Sequence, residues 1–226
     1  MWHESIDTQG FAIIPGVLDD TEVNHFISQV TQSSLRRSRA GIRHVLGNAL
    51  VAELARDPRL LETAARVLGG KAFPFRGTLF DKSPRANWLV AWHQDTALPL
   101  RKRHDLSGWG PWSVKDGVVY AHAPAMVLGR IVAMRIHLDD STPLNGPLRV
   151  LPGTHTQGVL SDDEIHGLST KIESLDCIVR RGGVVVMRPL LVHSSTKSQA
   201  EIQRRVLHIE YAASEFVDAG LELAVA

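Results

Sequence analysis

The segment Ala91-Trp92-His93-Gln94-Asp95 carries an imidazole and a carboxylate two positions apart. On an extended strand, residues i and i+2 face the same side, so His93 and Asp95 can clasp one cation together. A third donor has to come from elsewhere, and the downstream candidate is His193, at the end of the apolar run VVVMRPLLVH that follows the turn Gly182-Gly183. Two imidazole nitrogens and one carboxylate oxygen on one face of an octahedron leave three positions open, the arrangement used for non-haem Fe(II) oxygen chemistry. Alone, an H-x-D pair is a weak signal, because short motifs recur by chance. Eleven residues beyond His193 stands Arg204, at the start of the strand-like run RRVLHIEYA and on the face opposite Leu207 and Ile209. A buried guanidinium needs an anionic partner, and its planar fork matches a carboxylate with two parallel hydrogen bonds. A cavity with a metal at one end and Arg204 at the other suits a small dicarboxylate.

These residues need a scaffold, and the order of elements suggests its class. In DDTEVNHFISQVTQ the apolar residues Val23, Phe26, Ile27 and Val30 follow the helical i, i+3, i+4, i+7 rule, with Asp19, Asp20 or Thr21 able to cap the first turn. A second helical stretch runs from about Asn48 to Gly69-Gly70, with a new first turn at Asp57-Pro58. After Gly70 the chain turns to short β-like runs: AFPFRGTLF, NWLVAWHQD, RIVAMRIHLDD, PLRVLPGTH, DCIVRRGGVVVMRPLLVH and RRVLHIEYA. Helices first and strands after predict a mainly β, α+β domain, a sandwich or open barrel with helices on one outer face. Residues 1–226 read as one domain, about 1–70 as helical support and 71–226 as core. The stretch at about 97–128 is rich in Gly, Pro and Trp and reads as a long lid-like insertion. In RIVAMRIHLDD, Arg135, His137 and Asp139 share one face and Val132, Met134, Ile136 and Leu138 the other. That polar face either meets water or lines a cavity.

With 44% apolar side chains in 226 residues, the chain can bury one large core. Lys and Arg nearly balance Asp and Glu at a net charge of +1, so no broad basic footprint for nucleic acid or anionic membrane exists. Cys177 is the single cysteine, which excludes an intrachain disulfide and suits a reducing, cytoplasmic setting. No run of about 18 apolar residues is present to span a bilayer, and the first twenty residues lack a signal-peptide pattern. There is no G-x-S-x-G, G-x-G-x-x-G or Walker loop.

Four ordered blocks, LFDKSPRANWLVAWHQD, HLDDSTPLNGPLRVLPGTHTQG, RRGGVVVMRPLLVHSS and RRVLHIEYA, resemble the phytanoyl-CoA dioxygenase-like family of Fe(II)/2-oxoglutarate-dependent oxygenases over almost the whole chain. Thr154 stands where serine is commoner in that family's PGSH turn. The resemblance implies a double-stranded β-helix, a cupin-like jelly roll with N-terminal helices packed on the outer face of its larger sheet. It implies that His93, Asp95 and His193 bind the iron and that Arg204 anchors the distal carboxylate of 2-oxoglutarate, helped by Ser195. Thr78 and Gln94 correspond to positions that line the cosubstrate pocket in relatives. Fe(II), 2-oxoglutarate and O2 are the implied cofactors, with succinate and CO2 as coproducts. Halogenating relatives replace the triad carboxylate with a small residue; Asp95 is present here, so the resemblance implies hydroxylation or a related oxidation of a small molecule. The alternative is a cupin-like metal-dependent binding protein or redox-neutral metalloenzyme, which needs the triad but not Arg204.

Other residues carry weaker expectations. Arg135 and His137 are candidates for substrate contact if their face lines the barrel, and His208 less so. Trp109 and Trp112 sit in the insertion, where they either cover a substrate or pin the loop. Arg43 or His44 of GIRH can reach the cosubstrate pocket, while the LRRSR cluster at 35–39 reads as a solvated helix end. Gly146, Pro147, Pro152 and Gly153 read as turn formers, His155 as a local hydrogen-bonding residue, and Lys82 as turn chemistry with Pro84. The sequence leaves substrate identity and oligomeric state open.

Overall fold

The computed structural model describes residues 2–32, 41–84 and 86–226, so the LRRSR cluster lies outside the described residues. The chain opens with α1 (Trp2–Gln9), β1 (Phe11–Ile14), α2 (Asp20–Gln32), β2 (Ile42–Arg43), α3 (Ala49–Leu54), α4 (Pro58–Leu68) and β3 (Phe73–Lys82). It continues through β4 (Val90–His93), β5 (Ala97–Leu100), β6 (Trp112–Lys115), β7 (Val118–His122), α5 (Ala125–Leu128), β8 (Ile131–His137) and β9 (Leu148–Val150). It ends with α6 (Asp162–Lys171), β10 (Leu175–Cys177), β11 (Val184–Met187), β12 (His193–Ser195), β13 (Arg204–Ala212), β14 (Phe216–Asp218) and β15 (Leu221–Glu222).

Among the described residues, two sheets form the frame: a six-stranded one in the order β1-β11-β8-β13-β3-β2 and a four-stranded one in the order β10-β9-β12-β4. Strand alternation sends Val132, Met134, Ile136, Leu207, Ile209 and Tyr211 out of the large sheet into one apolar layer with Val23, Phe26, Val51 and Leu60 of the helices. The Tyr211 hydroxyl donates to the Ala55 carbonyl at 3.0 Å and fixes α3 on that face. Proline begins α4, Asp57 caps it, and Gly69 ends it in the left-handed conformation. The expected helical backing is therefore present, and its function is to hold the large sheet rigid.

The opposite face of that sheet looks at the small sheet. One end of the space between them is filled by Ala133, Leu148, Val150, Cys177, Val185, Met187 and Leu191. The other end is polar, because register stacks the inward residues of neighbouring strands in rows. Arg204 pairs with Lys82, while His208 pairs with Thr78 on one side and Arg135 on the other. Arg43 extends the second row from β2, opposite Thr78. All of β8 is buried, so its polar face lines the interior and does not meet water.

Three parts depart from expectation. The insertion at 97–128 is built as a second small sheet, β5-β7-β6, closed by a turn at Asp116-Gly117. The helix α6, with a capping box between Ser161 and Glu164, covers the outer face of the small sheet through Ile165. The N-terminal segment supplies an edge strand, β1, paired with β11. Leu207 is fully buried between sheet and helices. Leu207→Ala is expected to cost about 2–5 kcal/mol of unfolding free energy, measured by urea denaturation.

Candidate active site

Strands β4 and β12 are neighbours, and their register sets His193 directly opposite His93, with ring centroids 4.2 Å apart. Asp95 follows just past the end of β4, held by its N–H donating to the Pro189 carbonyl at 3.0 Å. Its carboxylate oxygens lie 3.8 Å from His93 Nε2 and 3.6 Å from His193 Nε2. The ligand atoms of the three residues all fall within 4.8 Å of one another. Each imidazole approaches a backbone carbonyl with Nδ1, His93 that of Ala91 at 2.8 Å and His193 that of Leu191 at 2.9 Å. With Nδ1–H donating there, each Nε2 presents its lone pair to the common centre.

Burial, and then the neighbouring His93, push the His193 imidazole down to about 3, so it is neutral and able to ligate at physiological pH. Burial works to raise the Asp95 carboxyl, but the facing His193 and His93 outweigh it and hold it below the usual carboxylate range. Two imidazoles and a carboxylate form a donor set that fits Fe(II) with open positions left over. Asp95, His208 and Glu210 make a second group of close donors. There, Glu210 is already ion-paired with Arg76, which leaves the first set better suited to a metal.

A cavity of about 220 Å³ opens beside the triad between the sheets. Three cations meet at one end of it. Arg204 is buried, its Nε donates to the Asn145 carbonyl at 3.1 Å, and its Nη1 has no hydrogen-bond partner. Burial and the neighbouring Arg135 lower it to about 9, still a cation at neutral pH. Arg135 lies 5.1 Å over the Phe80 ring, with Nη1 3.3 Å from His208 Nδ1 and Nε unpartnered. Lys82 Nζ donates to Ser195 Oγ at 2.7 Å and to the Thr196 carbonyl, and the Ser195 hydroxyl in turn donates a hydrogen bond to the Gly146 carbonyl at 2.8 Å. Gly146 has φ of 67°, and a Cβ there would overlap the Thr196 carbonyl oxygen, so this close approach requires glycine. Burial, then Arg204 and Arg135, lower the Lys82 ammonium to about 7. A buried guanidinium with a free N–H beside further cations fits the distal carboxylate of a dicarboxylate.

Of the residues singled out from sequence, His93, Asp95, His193, Arg204, Ser195, Thr78 and Arg135 border this one cavity. Gln94 does not. Sitting between His93 and Asp95 it faces the other way, donating to the Gly158 and Leu190 carbonyls at 2.9 and 2.7 Å and accepting from Leu160 N–H at 2.9 Å. His137 is wholly buried outside the cavity wall, with Nδ1 3.0 Å from the Arg135 carbonyl oxygen. Trp109 packs in the apolar cluster between insertion and C-terminal hairpin and donates from Nε1 to Asp218 at 2.9 Å, so it pins the insertion and does not cover the cavity. His44 contacts the Tyr120 hydroxyl from Nε2 at 2.8 Å, while Arg43 reaches the cavity. Sequence reading missed Lys82, Arg76, Tyr120 and Lys115, which also border it.

A family model described as phytanoyl-CoA dioxygenase (PhyH) matches residues 6–206. The chain belongs to that family. As a member it is a non-haem iron enzyme that uses 2-oxoglutarate and O2, on the double-stranded β-helix fold. Among curated proteins it is similar to L-proline trans-4-hydroxylase of Streptomyces griseoviridis, at 27% identity over 89% of this chain and 82% of that one. It is also similar to the ectoine dioxygenase of Bordetella parapertussis, at 26% identity over 68% of this chain and 48% of the relative, so the match spans about half of that protein. In fold it resembles AviO1 from Streptomyces viridochromogenes, with a TM-score of 0.69 and 23% identity over 96% of both chains. HygX from Streptomyces hygroscopicus, solved with nickel, 2-oxoglutarate and hygromycin B, gives a TM-score of 0.69 at 22% identity over 96% of this chain and 88% of that one.

The position of Gln94 makes it a brace between β4 and two loops. Gln94→Leu is expected to orphan backbone groups and lower stability by about 1–3 kcal/mol in urea denaturation. Affinity for 2-oxoglutarate per folded molecule should stay near the parent's; a loss there would return Gln94 to the pocket.

Proposed function

We propose that this protein hydroxylates a small molecule at an iron held by His93, Asp95 and His193, with release of succinate and CO2. The observation that carries this reading is the pairing of two features across one cavity. Three donor atoms lie within 4.8 Å of one another, and a buried Arg204 in the same cavity keeps an unpartnered Nη1. When bound, iron with 2-oxoglutarate and O2 supplies the oxidising power that breaks a substrate C–H bond. His93 and His193 would hold the metal through Nε2, and Asp95 would supply the single carboxylate, which favours hydroxylation over halogenation. Arg204, Lys82 and Ser195 receive the distal carboxylate of 2-oxoglutarate. Arg135, buried against Phe80 beside Arg204, belongs with that same end and lends it positive charge. Thr78 forms part of the wall between this end and the mouth. The apolar rings of Phe80 and Trp88 limit water in the cavity.

A metal-dependent binding protein or redox-neutral enzyme would have no need of the Arg204, Arg135 and Lys82 cluster, which weighs against it. The span of the family match supports a single catalytic domain over 1–226. The named relatives act on L-proline and ectoine, and HygX was solved with hygromycin B, which supports a small-molecule substrate here. Among the described residues no helix is long and apolar enough to cross a membrane. The single, buried Cys177 supports a cytoplasmic setting.

Arg204→Ala is expected to weaken 2-oxoglutarate binding by at least about tenfold while Fe(II) binding persists; Asp95→Ala should abolish succinate formation. The absorption band of the Fe(II)–2-oxoglutarate complex under argon reads the first and product analysis the second. An Asp95→Ala protein that turns over 2-oxoglutarate like the parent would overturn the assignment.

Lys82 adds a pH dependence. Its ammonium ionises near pH 7 in the free protein, and a carboxylate beside it favours the charged form, so its pKa rises on binding. Affinity for 2-oxoglutarate is therefore greatest below about pH 7 and falls as the pH rises above it. Titrations at about pH 6 and about pH 8, short of the range in which Arg204 loses its own proton, should show this slope, and Lys82→Met should flatten it.

A further inference from the structure

The cavity mouth carries charge that the cosubstrate does not use. Arg43, on the edge strand β2, and Lys115, at the end of β6 in the insertion, both border the cavity from its open side. Neither is ion-paired among the described residues. Residues 1, 33–40 and 85 contain no acidic side chain, so they cannot supply a partner either. The nearby Asp116 acts on His44, and Arg76, which also faces the mouth, is already neutralised by Glu210. Lys115 is held in place and does not simply wave in solvent. Lys115 Nζ sits 4.9 Å over the Tyr120 ring, and that ring is stacked on His44 with its hydroxyl bonded to the imidazole at 2.8 Å. Arg43 is the residue next to His44 and lies across from Thr78. Partial burial, with Arg76 and Arg43 close by, depresses the Lys115 ammonium, and the Asp95 carboxylate offsets this only in part.

These cations are remote from the cosubstrate end. Arg43 is in register with Thr78 and Arg204 with Lys82, four residues further along β3, a separation of about 13 Å at ~3.3 Å per residue. Iron held by the triad would take one carboxylate of 2-oxoglutarate, and Arg204, Lys82 and Ser195 the other, which leaves the mouth to the substrate. The cavity's 220 Å³ must hold both molecules, so the substrate is small.

We propose that the substrate is a small molecule with a free carboxylate, docked through that group between Arg43 and Lys115 so that its C–H bond faces the triad. This rests on the oxygenase reading above. Arg43 gives the carboxylate a planar fork and Lys115 a point charge, while Tyr120 supplies an apolar floor beside them.

The test uses the protein loaded with Fe(II) and 2-oxoglutarate. Matched pairs of amino acids and their amides, L-proline and L-prolinamide among them, are titrated under argon against the Fe(II)–2-oxoglutarate absorption band. Succinate formation in air is then measured for each. The expected result is that free carboxylates perturb the band and stimulate succinate formation at least about tenfold more effectively than their amides. The double variant Arg43→Gln/Lys115→Gln should raise the apparent KM for the carboxylates by a similar factor and erase the difference between acid and amide. Conservative Lys115→Arg should retain most of the preference. Amides that equal their acids, a panel in which no carboxylate exceeds its amide, or phosphate monoesters that outcompete carboxylates would each overturn the proposal. So would a double variant whose affinity for 2-oxoglutarate falls as far as its response to the acids, since the mouth would then serve the cosubstrate. Absence of any 2-oxoglutarate-dependent band in the iron-loaded parent is a different failure, that of the oxygenase reading itself.

Discussion

Three buried cations, Arg135, Arg204 and Lys82, share one end of a cavity, and among the described residues none of them is ion-paired. Burying even one unpaired charge costs several kcal/mol, of order ~3–5 when a partner is missing. Hydrogen bonds to the Asn145, Thr196 and Ser195 oxygens offset part of this cost, and Arg135 gains from the Phe80 ring. The remainder is a standing electrostatic demand that a dianion meets on binding. Stability surrendered there reappears as affinity, so the rest of the molecule has to be rigid enough to keep the charges together while the cavity is empty.

The architecture supplies that rigidity by separating tasks between sheets. The four-stranded sheet carries the metal donors through a single register pair, His93 opposite His193. The six-stranded sheet carries the cations, placed by alternation on β3, β8 and β13 and clamped from behind by the helical layer. A slip of one residue in β13 would turn Arg204 and His208 to the helices and Leu207 and Ile209 to the cavity, exchanging both surfaces at once. The apolar layer behind the sheet therefore specifies the polar site in front of it.

Period-two alternation made much of this legible in the sequence. It put His93 with Asp95, set Arg204 against Leu207, and set Arg135 against the apolar outer face of β8. What it left open was whether the polar faces met water, because that depends on a second sheet brought over by long-range pairing. The same rule, applied further, excludes Gln94 from the pocket, since a residue between two ligands on a strand points away from them; the resemblance to relatives masked that conflict. It also finds Arg76, Thr78, Phe80 and Lys82 on one face of β3, where Lys82 was read as turn chemistry because Ser83-Pro84 follow it. The Asp116-Gly117 hairpin signal was readable, but the density of Gly, Pro and Trp around it suggested a long loop, and the Ser161 to Glu164 capping box was readable too. The burial of Trp109 was not readable, because its partner Asp218 comes from the far end of the chain.

The insertion explains how one scaffold can keep its chemistry and change its substrate. The triad and the cation cluster draw on strands of the two main sheets, where a shift is opposed by backbone pairing and, behind the six-stranded sheet, by a packed layer. Lys115 and Tyr120 instead belong to a separate three-stranded sheet, which meets the β2 edge through the contact between His44 and Tyr120. Residues on that sheet can change charge or size without altering the His93–His193 register or the Arg204–Lys82 pair. The wall that carries Lys115 is thus the one least tied to the metal register, while Arg43 faces it from the β2 edge of the six-stranded sheet.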